Sequence, residues 1–403
     1  MESLQNIKDT LSDTVSHFVE RVFAVEDVVQ GSERDPFLVC YHGKLRGDSA
    51  RAYDELSAAL KPYDITPLFR WDANRQAIYL VEALPKPKAG STWVNILLFV
   101  LTFFSVLLAG GSYGLTSPLP PSPLAAAGVL IANGWPFAVS LIAILGTHEM
   151  GHYLAGRYHN VHVSLPYFIP LPPPISQLGT MGAFINLKEP VKNRRVLLDI
   201  GIAGPLAGLA VAIPVLLYGL STSPLERLPA NAAQGPLGLE GNSILYLFLK
   251  YVTHRQLLPA PASYGGLSPL NFWLSYFFTG RPLPWGAMDV QLNSVAWAGW
   301  VGLLVTALNL IPAGQLDGGH VLYTLLGKRN AQRIYPFLVI ALLGLSFFWP
   351  GWLLWAFIIL FLGRFYAEPL DQITPLNPAR RHLARLALLI LVLTFMPVPT
   401  VAS

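Results

Sequence analysis

The stretch Ala143-Ile144-Leu145-Gly146-Thr147-His148-Glu149-Met150-Gly151-His152 sets two histidines and a glutamate inside an apolar helix. Residues four apart share a helix face, so His148 and His152 can grip one metal ion. Glu149 then projects beside the ion, where a carboxylate can take a proton from water. Soluble metallohydrolases carry the same pattern. Here it lies in a run from Trp135 to Tyr158 whose only other charge is Arg157. Ionisable groups at membrane depth are costly and mark functional sites. The stretch predicts metal-dependent hydrolysis inside a bilayer.

Composition points the same way. Hydrophobic residues make up 53% of the chain and charged residues 12%, against roughly 25% charged in soluble domains. The mean hydropathy is +0.47. A formal charge of +4 does not suggest a nucleic-acid partner. Cys40 is the single cysteine, which excludes an intrachain disulfide and a multi-cysteine metal site and leaves His, Asp and Glu as ligands. The N-terminus is polar, without the apolar core of a cleaved signal peptide.

The fold class this implies is an all-α polytopic membrane protein of about seven transmembrane helices, preceded by a small α+β soluble module at 1–90. Within that module Leu4, Ile7, Leu11, Val15, Phe18 and Val22 recur at helical spacing. Residues 37–41 read as a strand and 49–60 as a helix, and 65–70 with 76–81 as a hairpin around Asp72 to Asn74. Residues 91–131 hold the first span and an outer loop, 132–330 a catalytic core, and 331–403 further spans. Candidate spans are 93–110, 132–157, 197–220, 291–312, 333–348, 350–366 and 383–397, several of them short for a crossing. Residues 241–253 suit an interfacial or re-entrant helix.

Basic residues orient these spans. With the N-terminus inside, the inner segments hold 23 of the 27 lysines and arginines, and the other four share one long outer loop. His148 and His152 then lie ~13 and ~7 Å from the inner end of their helix at ~1.5 Å per residue. This places the N-terminus and the site toward the cytoplasmic side. A bacterial cell membrane is expected, with a thylakoid or chloroplast membrane as the alternative.

Between the second and third spans, Pro166 to Pro174 is apolar yet cannot be helical. Gly179 to Leu187 has strand character. Irregular backbone at membrane depth must be buried in protein or line a cavity. Residues Gly182, Ala183, Phe184 and Ile185 are candidates to bind substrate by strand addition; packing as an ordinary re-entrant hairpin is the alternative.

A third metal ligand is needed, with an open position for water. The stretch from Asn309 to His320 offers one: Pro312 and the glycines break an apolar helix and bring Asp317 to a depth matching His148. His320 follows one turn later.

These residues resemble the site-2 protease family of intramembrane zinc metalloproteases. The resemblance rests on His148-Glu149-x-x-His152, on Asn309-x-x-Pro312 followed by Leu316-Asp317-Gly318, and on Asp199-Ile-Gly-Ile-Ala-Gly-Pro205-Leu-Ala-Gly208. It spans roughly 132–330. Gly179-Thr-Met-Gly-Ala-Phe-Ile185 and Asn193-Arg-Arg195 are similar to the cyanobacterial and chloroplast branch. No PDZ-like insertion and no cystathionine-synthase-type domain is found. The resemblance implies one zinc ion per chain held by His148, His152 and Asp317, with Glu149 as base and Asn309 as an oxyanion or substrate-strand contact. It implies proteolysis of membrane-protein substrates that carry a transmembrane helix. The alternative is a zinc-binding membrane protein without proteolysis, an inactive relative or a metal transporter. Nothing in the sequence sets the oligomeric state.

Overall fold

The computed structural model describes residues 13–402 except 33, 73, 86–89, 114 and 116. The predicted helix positions Leu4, Ile7 and Leu11 lie outside the described residues. The chain divides into two compact units.

The first unit combines residues up to 89 with 188–199 and 367–381. Helix α1 (13–22) leads into β1 (Phe23–Gln30), then β2 (Val39–Leu45), α2 (Ser49–Leu60), β3 (Ile65–Asp72) and β4 (Arg75–Glu82). The strands form an antiparallel sheet of order β1-β2-β4-β3. Val15, Val19, Phe23, Tyr41, Leu56, Leu60, Phe69 and Ile78 close its core, and Ile373 joins them. β1 was not expected from sequence. Its outer half is exposed on both faces, so no alternation announces it.

Two distant segments complete this unit. Phe69 donates its N–H to Leu370 (3.0 Å), and Gln372 donates back to Phe69 (3.0 Å). Leu370 and Asp371 in turn donate to Val191 and Lys192 at 2.9 and 2.8 Å. The carboxylate of Asp371 is fully buried, and it accepts bonds from Ser49 Oγ and from the amides of Ile373 and Thr374. A buried carboxylate is tolerated only when satisfied in this way. Arg380 binds Asp199 through two bonds of 2.9 and 2.6 Å.

The second unit is mostly helical. Three helices are long and apolar enough to cross a membrane: α3 (Thr92–Gly110), α4 (Pro123–Tyr158) and α5 (Arg194–Ser221). Between α4 and α5 lies a hairpin of β5 (Tyr167–Pro170) and β6 (Thr180–Phe184). After α5 come β7 (Leu225–Arg227), β8 (Gly238–Glu240), α6 (Ile244–His254), α7 (Pro269–Thr279) and β9 (Met288–Val290). Then follow α8 (Ser294–Asn309), α9 (Asp317–Leu326), α10 (Lys328–Leu345), α11 (Gly351–Leu362), α12 (Pro378–Thr394) and β10 (Thr400–Ala402). Each of the seven apolar stretches read from the sequence coincides with one helix. Only the first three meet the length and hydropathy of a crossing, because α8 and α11 are shorter and α10 and α12 open with basic turns.

α4 begins nine residues before the apolar run at 132. Pro123 opens it behind Ser122, and Leu-Ala-Ala-Ala follows, a proline-first, alanine-rich start that favours helix. Its 36 residues reach ~54 Å, well beyond the ~30 Å of a bilayer core.

Candidate metal centre

The helix spacing delivers what the sequence required. His148 and His152 are four residues apart on α4, both buried, with their Nε2 atoms 3.1 Å from each other. Asp317 enters as the first residue of α9. The turn that returns the chain from α8 to α9 passes Gly314, whose φ of +55 suits glycine, and a Cβ there would meet the Leu362 carbonyl oxygen at 2.5 Å. Asp317 Oδ2 then lies 3.3 Å from His148 Nε2, and Oδ1 lies 3.3 Å from His152 Nε2. Among the described residues, this is the one group of His, Cys, Asp or Glu atoms close enough to hold a metal ion.

The donor set fits a cation. His152 Nδ1 is 2.7 Å from the Ile200 carbonyl oxygen, which can only accept, so Nδ1 carries the proton and Nε2 of the neutral ring presents a lone pair. That lone pair, the second imidazole and a carboxylate converge on one point. Such a set of acceptors is stable around a positive charge, and a carbonyl behind the ring is the usual way to orient a metal-binding histidine.

Glu149 is buried beside this cluster, and its carboxylate accepts a hydrogen bond from the backbone of Ile185, one residue beyond β6. Asn309, at the end of α8, has Nδ2 3.3 Å from His148 Nε2. Gly182, Ala183 and Phe184 lie in β6, which pairs with β5 alone among the described residues. Ala183 faces Phe168 in that ladder, and Phe184 stacks on Tyr167 with half its surface exposed. His320 packs against Gly201, and its Nδ1 is buried without a hydrogen-bond partner among the described residues.

The sequence shows the glycines of α5 only as part of the motif that carries the resemblance, not what they pack against. A Cβ on Gly204 would overlap the His152 ring, and one on Gly208 would come within 3.1 Å of His148 Cβ. One on Gly201 would come within 3.0 Å of His320 Cβ. These three positions fall on one face of α5. The signal was the spacing, three then four, in a helix otherwise rich in large apolar residues. The Ile200 carbonyl had no signal, being backbone.

The sequence profile described as Peptidase family M50 matches residues 136–347. A curated relative, "Probable zinc metalloprotease EGY2, chloroplastic" of Oryza sativa subsp. indica, is 28% identical over 377 residues, covering 90% of this chain and 61% of the relative. "Probable zinc metalloprotease EGY1, chloroplastic" of Arabidopsis thaliana is 31% identical over 265 residues, covering 65% of this chain and 43% of the relative. The chain thus spans about three fifths of the length of the curated relatives it matches over its greatest extent. No solved structure matches. With more than half its residues inside the profile, and His148-Glu149-x-x-His152 within the matched stretch, the chain belongs to peptidase family M50, the family of the site-2 proteases.

Proposed function

We propose that the chain is an intramembrane zinc metalloprotease that hydrolyses peptide bonds within or near the transmembrane segments of membrane-protein substrates. One observation carries this reading: Asp317 of α9 converges on His148 and His152, which sit with Glu149 on a helix apolar enough to span a bilayer. Family membership and the printed names of the relatives support it.

His148, His152 and Asp317 would hold the zinc. When bound there, zinc polarises the scissile carbonyl and lowers the pKa of water toward ~7. Glu149 takes the proton of the attacking water and returns it to the leaving amine. Ile200 fixes the ring of His152 through its carbonyl. The Asn309 amide is placed to donate to the oxyanion or to the substrate backbone. A substrate helix must unwind to expose its amide bond, and the unpaired edge of β6, from Gly182 to Ile185, would hold the unwound strand. Glu149 and this edge are already joined through the Ile185 amide.

In this reading all seven apolar helices cross the membrane, β5 and β6 form a re-entrant hairpin, and the metalloprotease core covers 132–330. Residues 1–90 are a soluble N-terminal module. The word "chloroplastic" in the relatives' names supports a chloroplast membrane ahead of a bacterial cell membrane.

The test is purification in detergent, metal analysis, and cleavage of a model transmembrane substrate with and without a chelator. Zinc near one per chain with chelator-sensitive cleavage supports the reading. Bound zinc without cleavage favours a non-proteolytic metal protein.

A further inference from the structure

The two strands of the β5–β6 hairpin fall out of step beside Glu149. Tyr167 pairs with Phe184, and the next pairing away from the turn joins Val163 to Leu187. Between these pairs three residues, 164–166, oppose two, 185–186. One extra residue makes a bulge, a device that re-aims groups next to active sites. Ser164 still bonds Asn186: its N–H donates to the Asn186 carbonyl at 3.0 Å, and its hydroxyl accepts from the Asn186 amide at 2.9 Å. Leu165 and Pro166 are therefore left facing Ile185 alone. The Ile185 N–H leaves the ladder and goes to Glu149. Pro166 has no N–H to give. The carbonyls of Leu165 and Pro166 are what the bulge leaves over.

Asn95 takes both. It is buried on α3, and its Nδ2 donates to the Leu165 and Pro166 carbonyl oxygens at 3.0 Å each. A side-chain amide has two N–H donors, and both are spent here. Carbonyls held away from water demand such partners. A leucine in the same place would fill the space and serve neither.

Other residues of α3 press the hairpin against the helix. Phe99 meets Phe168 edge-on with ring centroids 5.2 Å apart. Gly179, with φ of +75, approaches so closely that a Cβ would lie 2.5 Å from the Ser105 carbonyl oxygen. The bonds from Asn95 differ in kind, because they are directional and fall on the stretch opposite Ile185.

We propose that Asn95 is a positioning residue for cleavage. By holding the bulge it fixes the free edge of β6 relative to Glu149, and so selects which peptide bond of the added substrate strand is cut. This inference rests on the protease reading. Carbonyl directions alternate along a strand, so the next bond offered in the same orientation lies two residues away, a slip of ~7 Å.

The test compares wild type, Asn95→Leu and Asn95→Gln as zinc-loaded full chains in detergent, with a single-span model substrate and product ends read by mass spectrometry. In Asn95→Leu, zinc content and melting temperature are expected to match wild type, and kcat/KM to fall about 10–100-fold. New product ends are expected two residues from the main site. Asn95→Gln keeps the donors and is expected to keep the main site dominant. Hydrogen exchange of the amides in 179–187 is expected to quicken in Asn95→Leu. Unchanged product ends in Asn95→Leu overturn the proposal. Loss of zinc and melting temperature in step with cleavage also overturns it, since that marks a purely structural contact. Absence of cleavage by wild type would instead refute the protease reading; exchange in 179–187 then still decides whether Asn95 anchors the hairpin, and unchanged rates refute the anchor.

Discussion

Gly204 of α5 lies flush against the ring of His152, so a single methyl group at that position would occupy the space of the imidazole. The ring is also tied to the next turn of the same helix by the bond from Nδ1 to Ile200, leaving it no room to retreat. Gly204→Ala is therefore expected to lower zinc affinity about 10–100-fold, the range for disturbing groups behind a metal ligand. Gly208→Ala, where the approach to His148 is 3.1 Å, is expected to cost less. Zinc titration of both purified variants checks the order; equal affinity in Gly204→Ala and wild type would contradict it.

Glu149→Gln keeps size and hydrogen bonding but removes the base. Zinc content is expected to stay near wild type and cleavage to fall by about 100-fold or more. Metal analysis and turnover on one preparation separate the two; wild-type turnover would remove Glu149 from the mechanism.

Asp317→Asn keeps the shape of the third ligand while discarding its charge. Both zinc stoichiometry and activity are expected to drop. If neither changes, another residue completes the site, with His320, whose buried Nδ1 has no hydrogen-bond partner among the described residues, as first candidate.

Ile185→Pro deletes the N–H that reaches Glu149. Cleavage is expected to fall strongly with zinc content and melting temperature near wild type, whereas Ile185→Val stays close to wild type. Loss of zinc and thermal stability together would point to a purely structural hairpin.

Glu240 gives a pH signature. Burial pushes its carboxyl up to about 7, against the opposing pull of Lys250, with Asp289 and the Tyr246 hydroxyl also facing it. A carboxyl whose pKa is higher in the folded state favours folding while protonated in both states. That contribution erodes as pH rises from the ordinary carboxylate value of ~4.3 through about 7. The wild type should lose stability across this window relative to Glu240→Gln, as read by melting temperatures at pH 5 and 8. Parallel curves would show that Glu240 does not titrate there.

The metal cluster was legible because its chemistry is local. A four-residue spacing on a helix fixes His148 against His152 whatever surrounds them, and Pro312 and Gly314 advertise the turn that brings Asp317 back. The Ile200 carbonyl was illegible because backbone groups look alike in a sequence. Strands β7 to β10 hold three residues each, too few for any period to show. β1 was hidden for the opposite reason, its outer half being wet on both faces. The early start of α4 was missed because Asn133-Gly134-Trp135-Pro136 reads as a break before a span, although it lies inside the helix.

The sheet edge at β3 is closed by Leu370 and Gln372, about three hundred positions downstream of Phe69. During synthesis at ~5–20 residues per second, that edge waits ~15–60 s for its partner. Throughout that interval the first-made part of the protein carries an open strand, a template for wrong pairing. Nor is its core complete, since Ile373 has not yet left the ribosome. The part of the chain translated first is thus among the last to finish folding, and its completion reports that the stretch up to α11 has already been made.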